Sequence, residues 1–119
     1  MIKIDITNET AQLRAVVVGI ADDFGGNPTI EKCYDPKSKE HVKAGIFPYE
    51  KDCISAMDAL VVVFEKYNVT VYRPQNIKGL NQIFSRDIAF AIGDKLVLPN
   101  IIEDRRREVE AIHSVLSRI

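Results

Sequence analysis

The chain has 119 residues, of which 46% are hydrophobic and 28% charged, and its 16 basic and 17 acidic side chains give a formal net charge of −1. This composition is ordinary for one soluble domain, here residues 1–119, and the near-neutral charge gives no reason to expect nucleic acid as a partner. No apolar run is long enough to span a bilayer, the N-terminus does not resemble a signal peptide, and two cysteines are too few for a disulfide framework. We therefore expect a cytoplasmic protein without membrane contact.

The first part of the chain predicts a strand followed by a long irregular connection. Leu13–Ile20 contains the continuous apolar run Ala15–Val18, which is typical of a strand buried on both faces. Ala21–Pro48 has no clear period and several breakers, so we expect it to form either a solvated surface loop or a lid or interface segment.

A helix and a second strand come next. Tyr49–Tyr67 is predicted as a helix because its apolar residues recur at helical spacing: Cys53, Met57, Leu60 and Phe64. Asn68–Pro74 alternates between apolar and polar residues, which predicts a strand.

The second half predicts a hairpin and a final helix. Ile83–Ile92 is expected to be a strand, Gly93-Asp94 a turn, and Lys95–Leu98 the returning strand. This interpretation places the charged pair Arg86-Asp87 inside a strand, where the Asp87 carboxylate requires a cation: its neighbour, another side chain or a cationic ligand.

The final helix is predicted over Glu103–Arg118 from its apolar face. A basic cluster, Arg105–Arg107, lies early in this helix, where the helix dipole opposes positive charge. The cluster is therefore expected either to be solvated or to pair with a nearby acid, and at least one of its members is expected to have an anionic partner.

An ordered set of motifs in the second half resembles a known superfamily. The set runs from Asn81–Asp87 (NQIFSRD), through the Gly93-Asp94 turn, to Arg105-x-x-Glu108 in the following helix. It is similar to the guanidino-group-modifying superfamily, which includes amidinotransferases, arginine deiminases and dimethylarginine hydrolases. Upstream, residues 8–19 and 68–74 are similar to the N-terminal region of glycine and inosamine amidinotransferases.

The resemblance implies an α+β fold, namely a partial β/α propeller (pentein) of about two ββαβ-type modules. In the full fold, such modules repeat around a pseudo-fivefold axis, with the substrate in the central channel. The implied reaction of full-length relatives is transfer of the amidino group of arginine to an amine through a covalent cysteine adduct, without a metal or an organic cofactor. An arginine deiminase-like hydrolase fragment is the enzymatic alternative.

The same resemblance assigns four substrate-binding residues. Asp87 corresponds to a carboxylate that binds the guanidinium group, which suits it because a carboxylate accepts two parallel N–H bonds from guanidinium. Asn81 and Arg105 correspond to residues that hold the α-carboxylate of the substrate. Phe84 corresponds to the apolar wall beside the guanidinium.

The resemblance assigns no catalytic residue to this chain, because the histidine and the nucleophilic cysteine of the family are expected beyond residue 119. Four residues of those types are present but do not occupy matching positions: Cys33, His41, Cys53 and His113. Whether the chain is an enzyme is therefore left open. The resemblance leaves three alternatives to expect: a truncated product, one piece of a split enzyme, or a non-catalytic binding or assembly module. Exposed sheet edges and an apolar face are expected to require a homo-oligomer or a complementary C-terminal chain.

Overall fold

The computed structural model describes residues 1–119 and contains two small two-stranded sheets and four α-helices. The strands are β1 (Ala15–Val17), β2 (Thr70–Tyr72), β3 (Phe90–Ile92) and β4 (Lys95–Val97). The helices are α1 (Pro36–Ala44), α2 (Glu50–Lys66), α3 (Arg106–Ala111) and α4 (His113–Leu116). The predicted α+β class is confirmed. None of the helices is both long enough and apolar enough to cross a membrane.

The first sheet is a parallel pair with a helical crossover. β1 and β2 pair in the register Ala15↔Thr70 and Val17↔Tyr72, and α2 packs against β2. Parallel neighbours require such a crossover, since a tight turn joins only antiparallel strands. The predicted helix and both predicted strands are therefore present, although each strand is shorter than its predicted range.

The second sheet is the predicted hairpin. β3 and β4 pair antiparallel in the register Phe90↔Val97 and Ile92↔Lys95, and Gly93 in the intervening turn has a φ of 60°. The N-terminal segment pairs with this turn, because Ile6 and Gly93 exchange hydrogen bonds of 2.8 and 2.7 Å.

The prediction of one strand over Ile83–Ile92 is wrong at its first half. Ser85–Asp87 forms a 3-10 turn, in which Asp87 N donates to the Phe84 carbonyl at 3.1 Å. The Ser85 hydroxyl donates to the Val17 carbonyl at 2.9 Å and ties this turn to β1. The Arg86-Asp87 pair consequently lies in a surface turn, where both residues are exposed, rather than in a buried strand.

The long connection Ala21–Pro48 is also more regular than predicted, because it contains α1. The Asp35 side chain accepts a 2.7 Å hydrogen bond from Ser38 N at the helix start, and Pro36 occupies the first turn. Gly45 ends the helix in the left-handed conformation with a φ of 68°. No residue of α1 is buried, so only these terminal signals mark it in the sequence.

The single helix predicted over Glu103–Arg118 is divided into three pieces. A 3-10 turn over Glu103–Arg105 precedes α3, and Ile112 separates α3 from α4. The Ala111 carbonyl accepts a 2.7 Å hydrogen bond from Gln75 N, while Val115 N donates to the Ile112 carbonyl at 2.9 Å. The helix breaks because a distant loop takes the carbonyl that Val115 N would otherwise use.

The loop before the 3-10 turn is fixed to the end of β1. Ile20 N donates to the Gln82 carbonyl at 3.1 Å, and Gly19 lies against the backbone of residues 82 and 83. The Gln82 side chain is buried, donating to the Gln75 carbonyl and accepting from Ile77 N, both at 2.8 Å. These contacts hold the segment that carries the candidate site.

Only 14 of the 119 residues are buried. The apolar ones lie at the end of β1, the start of β2 and the C-terminal helices: Val18, Ile20, Ala21, Phe24, Cys33, Val69, Ile88, Ala111, Ile112 and Val115. The accessible surface is 8583 Å², against about 6,500 Å² for a monomer of this mass. The radius of gyration is 15.5 Å, against about 13.5 Å for a domain of this length. The fold thus leaves roughly 2,000 Å² more surface exposed than a self-contained domain does.

Candidate functional site

The strongest cluster of charged groups is centred on the Arg105 guanidinium. Arg105 Nε and Nη2 donate to the two carboxylate oxygens of Glu108, each at 2.8 Å. Nη1 donates to Asp87 Oδ2 at 2.8 Å, and Nη2 also donates to the Phe84 carbonyl at 3.2 Å. One guanidinium therefore joins the 3-10 turn of residues 85–87 to α3.

The two carboxylates of the cluster have different surroundings. The Glu108 side chain is 5% exposed and that of Arg105 is 16% exposed, whereas the Asp87 side chain is 54% exposed. The hydrogen bonds to Glu108 raise the pKa of Arg105, burial acts in the opposite direction, and the bond to Asp87 raises it further. Arg105 thus stays positively charged, with one acid beneath it and one beside it at the surface.

The cluster retains one hydrogen-bond donor and one acceptor that no protein group uses. A guanidinium carries five N–H donors, and Arg105 commits four of them to Glu108, Asp87 and Phe84. One N–H on Nη1 remains for a ligand carboxylate. Asp87 Oδ1 has no protein partner and belongs to a side chain that is 54% exposed, so it can accept from a second cationic group.

Of the four residues proposed for substrate binding, the structure brings three together: Phe84, Asp87 and Arg105. The Phe84 residue is 56% exposed and its carbonyl accepts from Arg105. Asn81 is half-buried, and its Oδ1 accepts from Ile83 N at 3.2 Å within its own loop, while its amide nitrogen donates to no protein group.

The cation that pairs with Asp87 is another side chain of the chain, one of the three alternatives that the sequence left open. Asp87 pairs with Arg105, eighteen positions along the chain, and its neighbour Arg86 forms no ion pair. The expectation that the basic cluster has anionic partners is confirmed, because Arg105 pairs with Glu108 and Arg106 pairs with Glu103.

Tyr34 lies close enough to this cluster for the charges of Arg105 and Glu108 to affect its phenol, a proximity that the sequence analysis does not predict. Burial raises the pKa of the Tyr34 phenol, the positive charge of Arg105 lowers it, and the negative charge of Glu108 raises it. Because Tyr34 belongs to the segment between β1 and α2, no local pattern relates it to Arg105. The connection predicted as irregular thus reaches the candidate site.

A large cleft lies next to the cluster. Its volume is about 1000 Å³, and it is bounded by the N-terminal segment, β1, the hairpin and the C-terminal helices. Its lining is mostly hydrophobic, and Ser85 and Arg86 of the 3-10 turn contribute to it, but Asp87 and Arg105 do not. The charged cluster is therefore a surface site beside an apolar cleft rather than part of the wall of that cleft.

The cysteines and histidines are not assembled into a reactive group. The buried Cys33 thiol donates to the Thr29 carbonyl at 3.4 Å, and Cys53 is half-buried on α2. No three or more His, Cys, Asp or Glu side chains form a group that could hold a metal ion. The chemistry available at the cluster is therefore the pairing of carboxylates with guanidinium groups.

No protein-family model matches the chain, and no curated protein matches it. The family resemblance in the sequence therefore stays a prediction. The chemistry of the site rests on its own geometry.

Proposed function

We propose that the chain is an amidinotransferase-like protein and that Asp87 binds the guanidino group of an arginine-type ligand. The observation that carries this proposal is the Asp87 environment itself. Its Oδ2 already accepts a guanidinium N–H at 2.8 Å, its side chain is 54% exposed, and Oδ1 has no protein partner. A carboxylate with one open oxygen at the surface can accept from a second guanidinium.

The neighbouring groups fit the two ends of such a ligand. The exposed Phe84 side chain provides an apolar surface beside the guanidinium. The remaining N–H of Arg105 is a donor for a ligand carboxylate. The Asn81 amide nitrogen, in the preceding loop and outside the cluster, is a second donor proposed for the same carboxylate. Glu108 fixes the orientation of Arg105 and is too buried to contact the ligand itself.

The proposed architecture is that of two modules of a β/α propeller. In the first unit, α2 connects the paired parallel strands β1 and β2. In the second unit, α3 follows the paired antiparallel strands β3 and β4. This succession of strands and helices is consistent with the ββαβ-type repeat implied by the sequence resemblance.

We assign to this chain the binding and orientation of the guanidino group, and no covalent step. Under the amidinotransferase hypothesis, the bound guanidino group donates its amidino group to an amine. In the alternative, an arginine deiminase-like protein, the same carboxylate binds the same group and water takes the place of the amine. The chemistry of recognition at Asp87 is common to both.

Titration of the protein with L-arginine and with L-citrulline, followed by NMR chemical shifts, tests the proposal. Citrulline has nearly the same shape but carries a neutral ureido group, which cannot form an ion pair with Asp87. We expect arginine to shift the amide signals of residues 84–88 and 105–108, and citrulline to leave them unchanged. Equal responses to both ligands would contradict the proposal.

Two matched variants assign the effect to one carboxylate. Asp87→Asn removes the charge and is expected to abolish the arginine response. Asp94→Asn removes a more exposed charge in the hairpin turn, where Asp94 pairs only with Lys95, and is expected to change nothing. Binding that survives Asp87→Asn would overturn the assignment.

The exposed surface favours a second candidate function, that of a non-catalytic assembly module. The chain exposes 8583 Å², roughly 2,000 Å² more than expected for a monomer of its mass. A stable interface buries about 800 Å² on each partner, so the excess is large enough to supply one. Light scattering tests this candidate, and a single-chain mass at micromolar concentration would contradict it.

A further inference from the structure

α2 carries a second apolar face that nothing in the fold covers. We define the α2 stripe as three exposed residues of α2 and the exposed residue that follows the helix, at spacings of four, three and four positions: Ala56, Leu60, Val63 and Tyr67. Leu60 is 42%, Val63 50% and Tyr67 67% exposed. Alternating steps of three and four residues keep side chains on one line along a helix, as at the seam of a coiled coil.

The α2 stripe is separate from the face with which α2 packs on the sheet. The packed face consists of half-buried residues: Cys53, Met57, Val61 and Phe64. Successive residues are about 100° apart around a helix, so the two faces are centred roughly a quarter of a turn apart. Because one face is sufficient for the contact with β2, the sheet does not account for the stripe.

Charges beside the α2 stripe indicate what covers it. Asp52 and Lys66 lie on the same flank of the stripe, both are exposed, and neither forms an ion pair within the chain. Asp52 lies seven positions before Ala59 in the sequence, and Lys66 lies seven positions after it. Two α2 helices that cross antiparallel at Ala59 therefore bring Asp52 of each copy opposite Lys66 of the other.

We infer that two copies of this chain associate through their α2 stripes as an antiparallel, two-fold symmetric helix pair. In a parallel two-fold pair this flank of one copy would lie on the opposite side of the interface from the same flank of the other, so Asp52 and Lys66 would not meet, and the charges favour the antiparallel arrangement. The excess exposed surface exceeds the area of about 800 Å² per partner that a stable dimer requires.

This inference rests on the assembly candidate and specifies its surface, whereas it is independent of arginine binding at Asp87. Symmetric pairing is the commonest form of self-association, because one patch serves both partners. The formal net charge of −1 per chain adds little repulsion between two copies.

Two neighbouring valines provide the first test, read by sedimentation velocity. Val63 belongs to the α2 stripe, whereas Val62 is 62% exposed and lies about 100° further around the helix. Val63→Glu buries a charge in the interface and is expected to raise the dimer dissociation constant by about a hundredfold. Val62→Glu is expected to leave it unchanged, and circular dichroism checks that both variants keep their helix content.

A charge exchange tests the antiparallel orientation. Asp52→Lys places two lysines opposite each other at both ends of the pair, and is expected to weaken dimerisation on the order of tenfold at low salt. Adding Lys66→Asp restores opposite charges across the interface and is expected to recover the wild-type dissociation constant. A double variant weaker than either single variant would overturn the antiparallel pairing.

The outcomes separate the inference from the candidate on which it rests. A wild-type chain that is monomeric at micromolar concentration contradicts both the α2 interface and the assembly module. It would mean that another protein or a further chain segment covers the α2 stripe. A wild-type dimer that Val63→Glu leaves intact contradicts the α2 interface alone. A dimer lost with Val63→Glu and kept with Val62→Glu supports the inference.

Discussion

Arg105 and Glu108 form a side-on ion pair with two hydrogen bonds of 2.8 Å, and the acid is the more buried partner, at 5% exposed against 16% for the arginine. A buried carboxylate is stable only when a cation compensates it, so this pair fixes the guanidinium from below. Asp87 contacts the same guanidinium from the surface side. Glu108 therefore contributes to the stability of the fold, whereas Asp87 contributes little to it.

The first prediction is that the two acids differ in their contribution to stability. Glu108→Gln leaves the Arg105 charge without its buried partner, and is expected to lower the free energy of unfolding by about 3 kcal/mol. Asp87→Asn removes a partner that is 54% exposed, and is expected to lower it by less than about 1 kcal/mol. Urea denaturation of both variants measures the difference.

Glu103→Gln is the matched control for Glu108→Gln. Glu103 also pairs with an arginine three positions away, at 2.8 Å, but the side chains of Arg106 and Glu103 are 64% and 77% exposed. Its loss is therefore expected to change the free energy of unfolding by less than about 0.5 kcal/mol. Equal effects of the Glu103 and Glu108 substitutions would show that burial does not determine the strength of these pairs.

The sequence predicted the elements whose patterns are local. α2 follows from its apolar period, and the hairpin from its alternation around Gly93-Asp94, because each pattern is complete within the element itself. α1 has no apolar stripe and buries no residue, so only Asp35, Pro36 and Gly45 mark it, and these residue types are equally typical of a loop.

The remaining differences come from contacts between distant segments. The 3-10 turn at Ser85 depends on a hydrogen bond to Val17, 68 positions away, and the break at Ile112 depends on Gln75. No local pattern contains either contact. Within the candidate site, the three-residue spacing of Arg105 and Glu108 is readable from sequence, whereas the approach of Asp87 requires the fold.

The second prediction concerns Gly19, where two backbone segments touch. A Cβ at this position would lie 2.2 Å from the Ile83 carbonyl oxygen and 2.3 Å from that of Gln82. Gly19→Ala must therefore move the loop away from β1, and is expected to lower the free energy of unfolding by about 3 kcal/mol.

Gly26→Ala separates this steric effect from backbone strain. A Cβ at Gly26 meets nothing within 4 Å, but its φ of 69° is unfavourable for alanine. Its expected effect is about 1 kcal/mol, from conformation alone. If urea denaturation gives the same loss for both variants, the close approach at Gly19 is not what constrains that position.

The third prediction concerns the buried Gln82 side chain, which holds the loop of residues 75–77 through two hydrogen bonds of 2.8 Å. Gln82→Met keeps the approximate volume but leaves Ile77 N–H and the Gln75 carbonyl without a partner. The expected loss is about 2 kcal/mol of unfolding free energy. Gln12→Met, at an exposed glutamine without side-chain hydrogen bonds, is expected to have no measurable effect. A neutral Gln82→Met would mean that water replaces both bonds.

The last prediction is a pH dependence confined to α1. The hydrogen bond from Ser38 N lowers the pKa of Asp35 below its ordinary value of about 3.9. A carboxylate whose pKa is depressed by folding stabilises the helix above that ordinary value, and this stabilisation is lost as the pH falls through the lowered pKa. We therefore expect α1 to lose amide protection below about pH 4, while α2 keeps its own.

Two substitutions at Asp35 separate the titration from the capping hydrogen bond. Asp35→Asn retains a side-chain acceptor at the helix start but does not titrate, so the exchange rate of the Ser38 amide, corrected for intrinsic exchange, is expected to be independent of pH in this range. Asp35→Ala removes the acceptor and is expected to destabilise α1 by about 1 kcal/mol near neutral pH. Because α1 buries no residue, packing cannot compensate for the missing cap, and the loss should appear in the exchange of α1 amides alone. Acid sensitivity that persists in Asp35→Asn would assign the effect to another carboxylate.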